Sequence, residues 1–445
     1  MTSISAQQGM HVSTPPPGIA QPETPQNGHG DSTWTVKQAS SSPFISIPGA
    51  EGAEGASHGG VPAKKSVSVH HDFAGTKTME FVDPNLQAKF ASTVDDQFPP
   101  LLSMIIDGLP PIQQSKYVHE AEKRLHTYVE RYPSVSSLSS YCRVGLCVVS
   151  YLHPGVISVD RLVAISIHYG LMFLVDDIFF DAPDEFCPDQ YGINRSTCES
   201  PKKIQEYFDH LNAVFSQQVQ PSNPAPLIET IMWELGRDIL ELSNLEWFGN
   251  FATSVVKHHS AGVTSHRDIV QGNNLCLQNL EAYTVMRAGN VGGDFVQLMV
   301  EFANDSYIPG ILRKTPYMEN IITATSIHLA YVNDVFSYHK ESQLEQNPRN
   351  LITVLMECEG KPFVETVHMA IDLTNTYACA IMDLEAEAWD STLQKHLQEI
   401  KALIAGNVYF SFIDKRYRHP DSFFPELRDT TSSWKIVPGP EGLDL

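Results

Sequence analysis

Positive charge is scarce in this sequence. It carries 30 Lys and Arg against 52 Asp and Glu, a formal net charge of −22. That balance argues against a nucleic-acid surface, which needs basic patches to meet phosphates. It also disfavours an anionic substrate, unless cations come between protein and ligand. Cysteine is sparse and scattered: 7 residues, with no CxxC pair and no Cys/His spacing of a zinc site. This pattern predicts reduced thiols and a cytosolic, cytoplasmic protein. There is no signal-peptide hydrophobic stretch near the start. No run reaches the ~18 uninterrupted apolar residues expected of a membrane span. The greasiest runs, Val144–Leu152 and Ile157–Val175, are interrupted by Ser, Tyr and Gly, and the second also by Asp160, Arg161 and His168. A buried helix is expected for each. An alternating strand series is missing, and so is any repeat of fixed period.

What is present suffices for a sizeable core: 42% of the residues are hydrophobic. Residues 1–75 are rich in Pro, Gly, Ser, Gln and Ala and show no hydrophobic periodicity, so a disordered low-complexity tail is expected. From about Met79, segments of helical periodicity follow one another: Pro111–Tyr132, Val159–Phe180, Lys202–Gln218, Pro226–Phe248, Leu275–Ala288, Val291–Phe302, Thr315–Glu341, Pro362–Trp389 and Leu393–Tyr409. Pro and Gly mark the breaks between them. The expectation is an all-α chain with one helical domain over 76–430 and an extended C-terminal tail over 431–445.

The stretch GLMFLVDDIFFD, Gly170 to Asp181, is apolar but ends in three carboxylates. On a helix Asp177 and Asp181 share a face, and Asp176 lies about 100° round from Asp177. Phe173, Leu174 and Gly170 stand above them, so the acids form the rim of an apolar wall. Clustered carboxylates repel unless cations are present. Hard divalent cations prefer oxygen ligands, and magnesium commonly takes one or two carboxylates together with substrate phosphates. An acidic helix end entering solvent would look the same, and Asp pairs are common.

The second stretch is HLAYVNDVFSYHKE, His328 to Glu341. Asn333, Ser337 and Glu341 are spaced i, i+4, i+8 and fall within about 80° of arc, with Lys340 beside them. An amide oxygen, a hydroxyl, a carboxylate and an ammonium thus share one stripe below Leu329, Ala330, Ser326 and Ile322. The plain reading is a solvated face on a core helix, but this combination is less ordinary than an Asp pair.

These residues resemble a known family. Asn-Asp-Val-x-Ser-x-x-x-Glu, with Lys before the Glu, is similar to the second metal motif of class I terpene cyclases, and DDIFFD resembles their Asp-rich first motif. The strict DDxxD form is not met: Phe180 holds the fourth position after Asp176, and the last carboxylate, Asp181, comes one place later. EAYTVMRAGNVGG resembles the helix that carries the family's diphosphate-sensing arginine; Arg287 lies 46 residues before Asn333, the spacing of microbial members. Gly289, Gly292 and Gly293 would supply the helix break after it. GNVYFSFIDKRY resembles the late helix ending in an Arg-Tyr pair, Arg416 and Tyr417. The matches run from Asp176 to Tyr417 in the family's order.

The resemblance implies a helical bundle around an apolar cavity, entered by a linear isoprenyl diphosphate. It implies metal ligation by Asp176 and Asp181 from one helix and by Asn333, Ser337 and Glu341 from another, with three Mg2+ ions in all. Arg287, Lys340, Arg416 and Tyr417 would donate to the leaving diphosphate, and Asp177 would either stand behind the metal ligands or pair with a cation. The remaining allyl cation would be stabilised by aromatic faces. Phe173 is the foremost candidate; Tyr169, Tyr283, Tyr331 and Phe295 follow it. The likeness leans toward fungal sesquiterpene cyclases of the trichodiene-synthase type, hence a C15 substrate, farnesyl diphosphate, and a hydrocarbon or alcohol product. It allows a homodimer, and it implies neither a nucleic-acid partner nor a membrane span.

Other features read plainly. His258-His259 is expected on a surface segment, and Cys142 and Cys147 in the core. A prenyl-chain elongase would need a second Asp-rich cluster where Asn333, Ser337 and Glu341 stand. A DxDD motif of class II cyclases does not occur. A helical scaffold without catalysis is the rival from outside enzymology.

Overall fold

The computed structural model describes residues 98–428 except 134–135, 182–190, 192, 274, 345–348 and 387. The two expected tails, 1–75 and 431–445, lie outside the described residues. Helices make up the fold, and no strand occurs among the described residues. We number them α1 (Val118–Glu130), α2 (Ser136–Leu152), α3 (Val159–Asp176), α4 (Pro201–Phe215), α5 (Leu227–Glu241), α6 (Leu245–Val270), α7 (Leu280–Asn290), α8 (Gly293–Asn304), α9 (Pro316–His339), α10 (Leu351–Glu359), α11 (Phe363–Ala386) and α12 (Ser391–Ile413).

The starts follow from local chemistry. Ser158, Ser200, Asn244, Asn279, Thr315, Asn350 and Asp390 each accept a hydrogen bond from a first-turn N–H of the helix that follows. Asn244 ends one expectation. The periodic run Pro226–Phe248 is two helices, because the chain turns at Leu242–Ser243 and Asn244 starts α6 afresh. The whole of α6 beyond Phe248, and α10, were not anticipated. In the N-terminal part, α1 begins only at Val118, within the expected segment from Pro111.

Helices α2, α3, α8, α9 and α12 pack in sequence into a closed ring: α2 on α3, α3 on α8, α8 on α9, α9 on α12 and α12 back on α2. The two motif helices, α3 and α9, are not close-packed neighbours in it. Helix α6 packs on α4, α7 and α8 outside the ring. Helix α3 is deeply set. Val159–Phe180 is apolar and long enough to cross a membrane, but 83% of its apolar window is buried within the fold, which makes it a core helix. Each fully buried aliphatic or aromatic side chain contributes about 1.5–3 kcal/mol, and α3 buries Leu162, Ile165, Leu171, Leu174 and Val175.

Two glycines let α2 and α3 touch backbone to backbone. A Cβ at Gly145 would lie 2.1 Å from the Ser166 carbonyl oxygen, and one at Gly170 would lie 2.6 Å from that of Tyr141. At its base α3 is fastened by Arg161, which is buried and donates to the carbonyls of Phe302 and Leu242 and to Asp305 at 2.7 Å. The break between α7 and α8 comes at Gly292, whose φ of +73° favours glycine. Gly289, expected to share in that break, remains within α7.

Both motif helices end in the same irregular way. Past Asp176, α3 widens into a π-helical turn over Asp177–Asp181; past His339, α9 does so over Lys340–Leu344. Such turns are rare and gather at functional sites.

Candidate active site

Solvent access separates some of the expected residues from their neighbours, whereas Ser337 is buried. Between Ala164 and Asp176 of α3, Phe173 and Asp176 are partly exposed while all others are buried. Between Ala324 and His339 of α9, Asn333 alone is not buried. Lys340 and Glu341, just beyond, are also partly exposed. Solvent thus reaches the ends of both helices near the positions the two motifs occupy.

The C-terminal Arg-Tyr pair lies between them. After α12 a 3-10 turn, Lys415–Tyr417, is capped by Asp414, which accepts from the Arg416 N–H at 2.9 Å. Arg416 reaches α3: its guanidinium donates to both Asp177 oxygens at 3.2 and 3.3 Å. Its plane also lies 4.9 Å from the Phe173 ring centroid. Tyr141 on α2 donates a further bond to Asp177 at 2.7 Å. Burial tends to raise the Asp177 carboxyl, but Arg416, Tyr141 and Lys340 together hold it below the usual carboxylate value. Asp177 thus pairs with a cation, Arg416. The effect of Lys340 on Asp177 also shows that the end of α9 comes near the end of α3. Beside this pair opens a cleft of about 300 Å3 lined by Tyr141, Arg143, Asp177, Asp414, Lys415 and Arg416.

Tyr417 turns the other way. Its hydroxyl accepts from the Asn333 amide at 3.0 Å. The Asn333 oxygen accepts from Arg287 at 2.6 Å, and the same guanidinium bonds Asp334 at 2.7 Å. Asp334 is fully buried and also takes the Tyr283 hydroxyl at 2.5 Å and the Leu351 N–H at 3.2 Å. Burial pushes the Asp334 carboxyl up, and Arg287 and Tyr283 pull it back. Burial alone would lower Arg287, but Asp334 outweighs it and raises it. With three donors on two oxygens, we take the pair as ionised.

Ser337 and Glu341 meet directly: the Ser337 hydroxyl donates to Glu341 Oε1 at 2.8 Å. Glu341 Oε2 accepts from the Asn350 amide at 2.8 Å. Burial, then Asp334, raise the Glu341 carboxyl to about 7 against the pull of Arg287, Asn350 and Ser337. Because Glu341 sits in the π turn, the straight-helix azimuth expected for it does not apply, yet the contact with Ser337 is kept. The same holds for Asp177 and Asp181, whose spacing of four falls in a π turn; the Asp181 side chain lies outside the described residues. Among the described residues no three His, Cys, Asp or Glu side chains converge. Asn333, Ser337 and Glu341 carry an amide, a hydroxyl and a carboxylate oxygen, hard donors of the kind Mg2+ takes.

Phe180, where the strict motif has an acid, packs on Phe208 and His266, with ring centroids 6.0 and 5.9 Å apart. Of the other aromatic candidates, Tyr283 binds Asp334, and Tyr331 shares a hydrogen bond with Thr284 at 2.5 Å. Phe295 lies 5.2 Å from the His168 ring and 5.1 Å from that of His258. His258 and His259 are not on a surface: both are buried in α6, and His259 bonds Asn212 of α4 at 2.8 Å. Cys142 and Cys147 are buried, as expected. Sequence reasoning gave no role to Asp334, Asn350 or Tyr141. Asn350 left one trace, a capping residue directly before the apolar run Leu351–Leu355.

Comparison with known proteins agrees with this architecture. The family model described as terpene synthase family 2, C-terminal metal binding, matches residues 169–378. Sesquiterpene synthase 3 of Postia placenta is 25% identical over 158 residues, covering 34% of this chain and 42% of its own length. Germacrene A synthase of Nostoc punctiforme is 21% identical over 221 residues, covering 48% and 66%. The matches thus span less than two thirds of the length of these curated relatives. Among solved structures, that of an α-eudesmol synthase superposes with a TM-score of 0.56 at 19% identity, over 69% of this chain and 98% of that one. Residues 169–378 thus match a terpene synthase metal-binding family, and the chain shares the helical fold of terpene synthases of known structure.

Proposed function

We propose that this protein is a magnesium-dependent terpene cyclase acting on a linear isoprenyl diphosphate. We assign it farnesyl diphosphate and a sesquiterpene hydrocarbon or alcohol as product. The catalytic unit is the helical domain over 76–430. The observation that carries the reading is the paired arrangement at the two motifs: Arg416 on Asp177 of one, and Tyr417 and Arg287 on Asn333 of the other. Supporting it, curated relatives bear the names of sesquiterpene synthases.

Asp176 and Asp181 from α3, and Asn333, Ser337 and Glu341 from α9, would hold the cations, three in number by family likeness. Bound Mg2+ supplies Lewis-acid stabilisation of the charge on the departing diphosphate. The chain's own groups do the rest. Arg287, Lys340 and Arg416 place positive charge at the rim, and the Tyr417 hydroxyl is placed beside Asn333 to donate. An arginine fork suits phosphate because it binds two oxygens at once. Arg287 is held by Asp334 and so is set in place before substrate arrives. The anionic protein therefore meets an anionic ligand at a locally cationic rim. Below it, Phe173 and the buried faces of α3, α8 and α9 exclude water from the hydrocarbon. The Phe173 ring also offers a π face to a cation, as its stacking with Arg416 illustrates.

The test is incubation with farnesyl diphosphate and Mg2+, followed by assay of diphosphate and of hexane-soluble volatiles by gas chromatography. Release of diphosphate with a volatile terpene is expected. A longer diphosphate, formed when the C5 co-substrate is added, would make the protein an elongase. No reaction with C10, C15 or C20 diphosphates would leave a scaffold. Chromatographic mass settles whether a homodimer forms.

A further inference from the structure

We propose that Asn350 is a positioning residue that sets the carboxylate of Glu341. Asn350 is fully buried at the start of α10. Its side chain uses its full donor capacity. The Oδ1 atom accepts from the Ile352 N–H at 2.9 Å, which caps α10. The amide nitrogen donates to the Asp334 carbonyl oxygen at 2.6 Å and to Glu341 Oε2 at 2.8 Å.

Capping alone does not call for this residue. Asp and Ser cap about as well as Asn. What Asn adds is an NH2 group, and both of its hydrogens are spent on α9 and its extension. One goes to the backbone of α9 and one to a side chain in the π turn that follows. Glu341 is then fixed at both oxygens, Oε1 by Ser337 and Oε2 by Asn350. A carboxylate in a widened turn would otherwise be free to rotate. The attachment is reinforced one residue on, where the Leu351 N–H donates to the Asp334 side chain at 3.2 Å. The start of α10 is thus docked on α9 at Asp334, and Asn350 carries that register to Glu341. Groups that orient a metal-binding side chain in this way commonly change metal affinity 10–100-fold when replaced.

The inference rests on Glu341 being a cation ligand. Asn350→Asp keeps the capping oxygen and the shape but puts a second carboxylate oxygen against Glu341. Asn350→Ser keeps a cap but is too short to reach it, and it serves if the Asp variant does not fold. Each is titrated with Mg2+ in the presence of inorganic diphosphate, read as a shift in melting temperature and by calorimetry. The half-saturating Mg2+ concentration for turnover is measured alongside. We expect the midpoints to rise roughly 10-fold or more. Variants that melt lower but titrate like the wild type would overturn the proposal, leaving Asn350 a helix cap. A wild-type protein with no Mg2+ response would overturn the ligand assignment of Glu341 itself, and the proposal with it.

Discussion

Arg416 sits 3.2 Å from Asp177, although 239 residues separate the two in the chain. The contact leaves the guanidinium stacked on Phe173. Replacing Arg416 by Ala should lower the rate of diphosphate release about 100-fold or more, the scale of losing one charge-stabilising donor. Lys should restore only part of it, since an ammonium lacks the planar fork. Steady-state diphosphate assays check both; a Lys variant as active as the wild type would speak against two-oxygen recognition.

Asn333→Ala and Glu341→Ala should each abolish turnover while the helical circular dichroism signal stays intact. Both residues are partly exposed rather than set in the packed interior. Unchanged turnover in the two variants would reject the cation-ligand assignment.

Phe173→Ala should alter the product distribution more than it slows diphosphate loss, because the role proposed for the ring is toward the hydrocarbon cation, although one face also meets Arg416. Gas chromatography of the products reads this directly. An unaltered profile would remove Phe173 from the wall.

Asp334→Ala leaves Arg287 half-buried with one partner fewer and frees the Tyr283 hydroxyl. Breaking a buried pair from one side costs about 3–5 kcal/mol. Urea unfolding should show a loss of that order. A loss under 1 kcal/mol would mean that the pair contributes no net stability.

Acid should destabilise the fold through its buried imidazoles. Burial lowers His153, His168, His328 and His396 to about 3 and His258 to about 4. In the unfolded chain each would titrate near 6.5. Below that value the unfolded state binds protons that the folded state refuses, so stability is full above about pH 6.5 and falls as pH drops toward 4. The loss approaches about 1.4 kcal/mol per histidine per pH unit. Melting temperatures from pH 7.5 to 5 should fall steeply, and His168→Phe should flatten the slope. A flat profile in the wild type would contradict the burial of these rings.

The positions of Phe173, Asp176, Asn333, Arg287, Arg416 and Tyr417 were legible because their spacing is carried by ordered helices and turns. The π turns were not: their i to i+5 bonding leaves no mark in a pattern read at 3.6 residues per turn. Asp334 looked like an ordinary motif neighbour. Its part emerges only where Tyr283, Arg287 and Leu351 converge on it from 51, 47 and 17 residues away. His258 and His259 were misread because polarity alone suggested a surface. Their burial depends on α6 running between α4, α7 and α8, a packing that one segment's composition does not contain.

The reciprocal glycines Gly145 and Gly170 leave no side chain to act as a bearing between α2 and α3. Backbones in such contact cannot slide without collision, so Tyr141 and Asp177 travel as one slab. Amide exchange should therefore be slow along the facing stretches of α2 and α3.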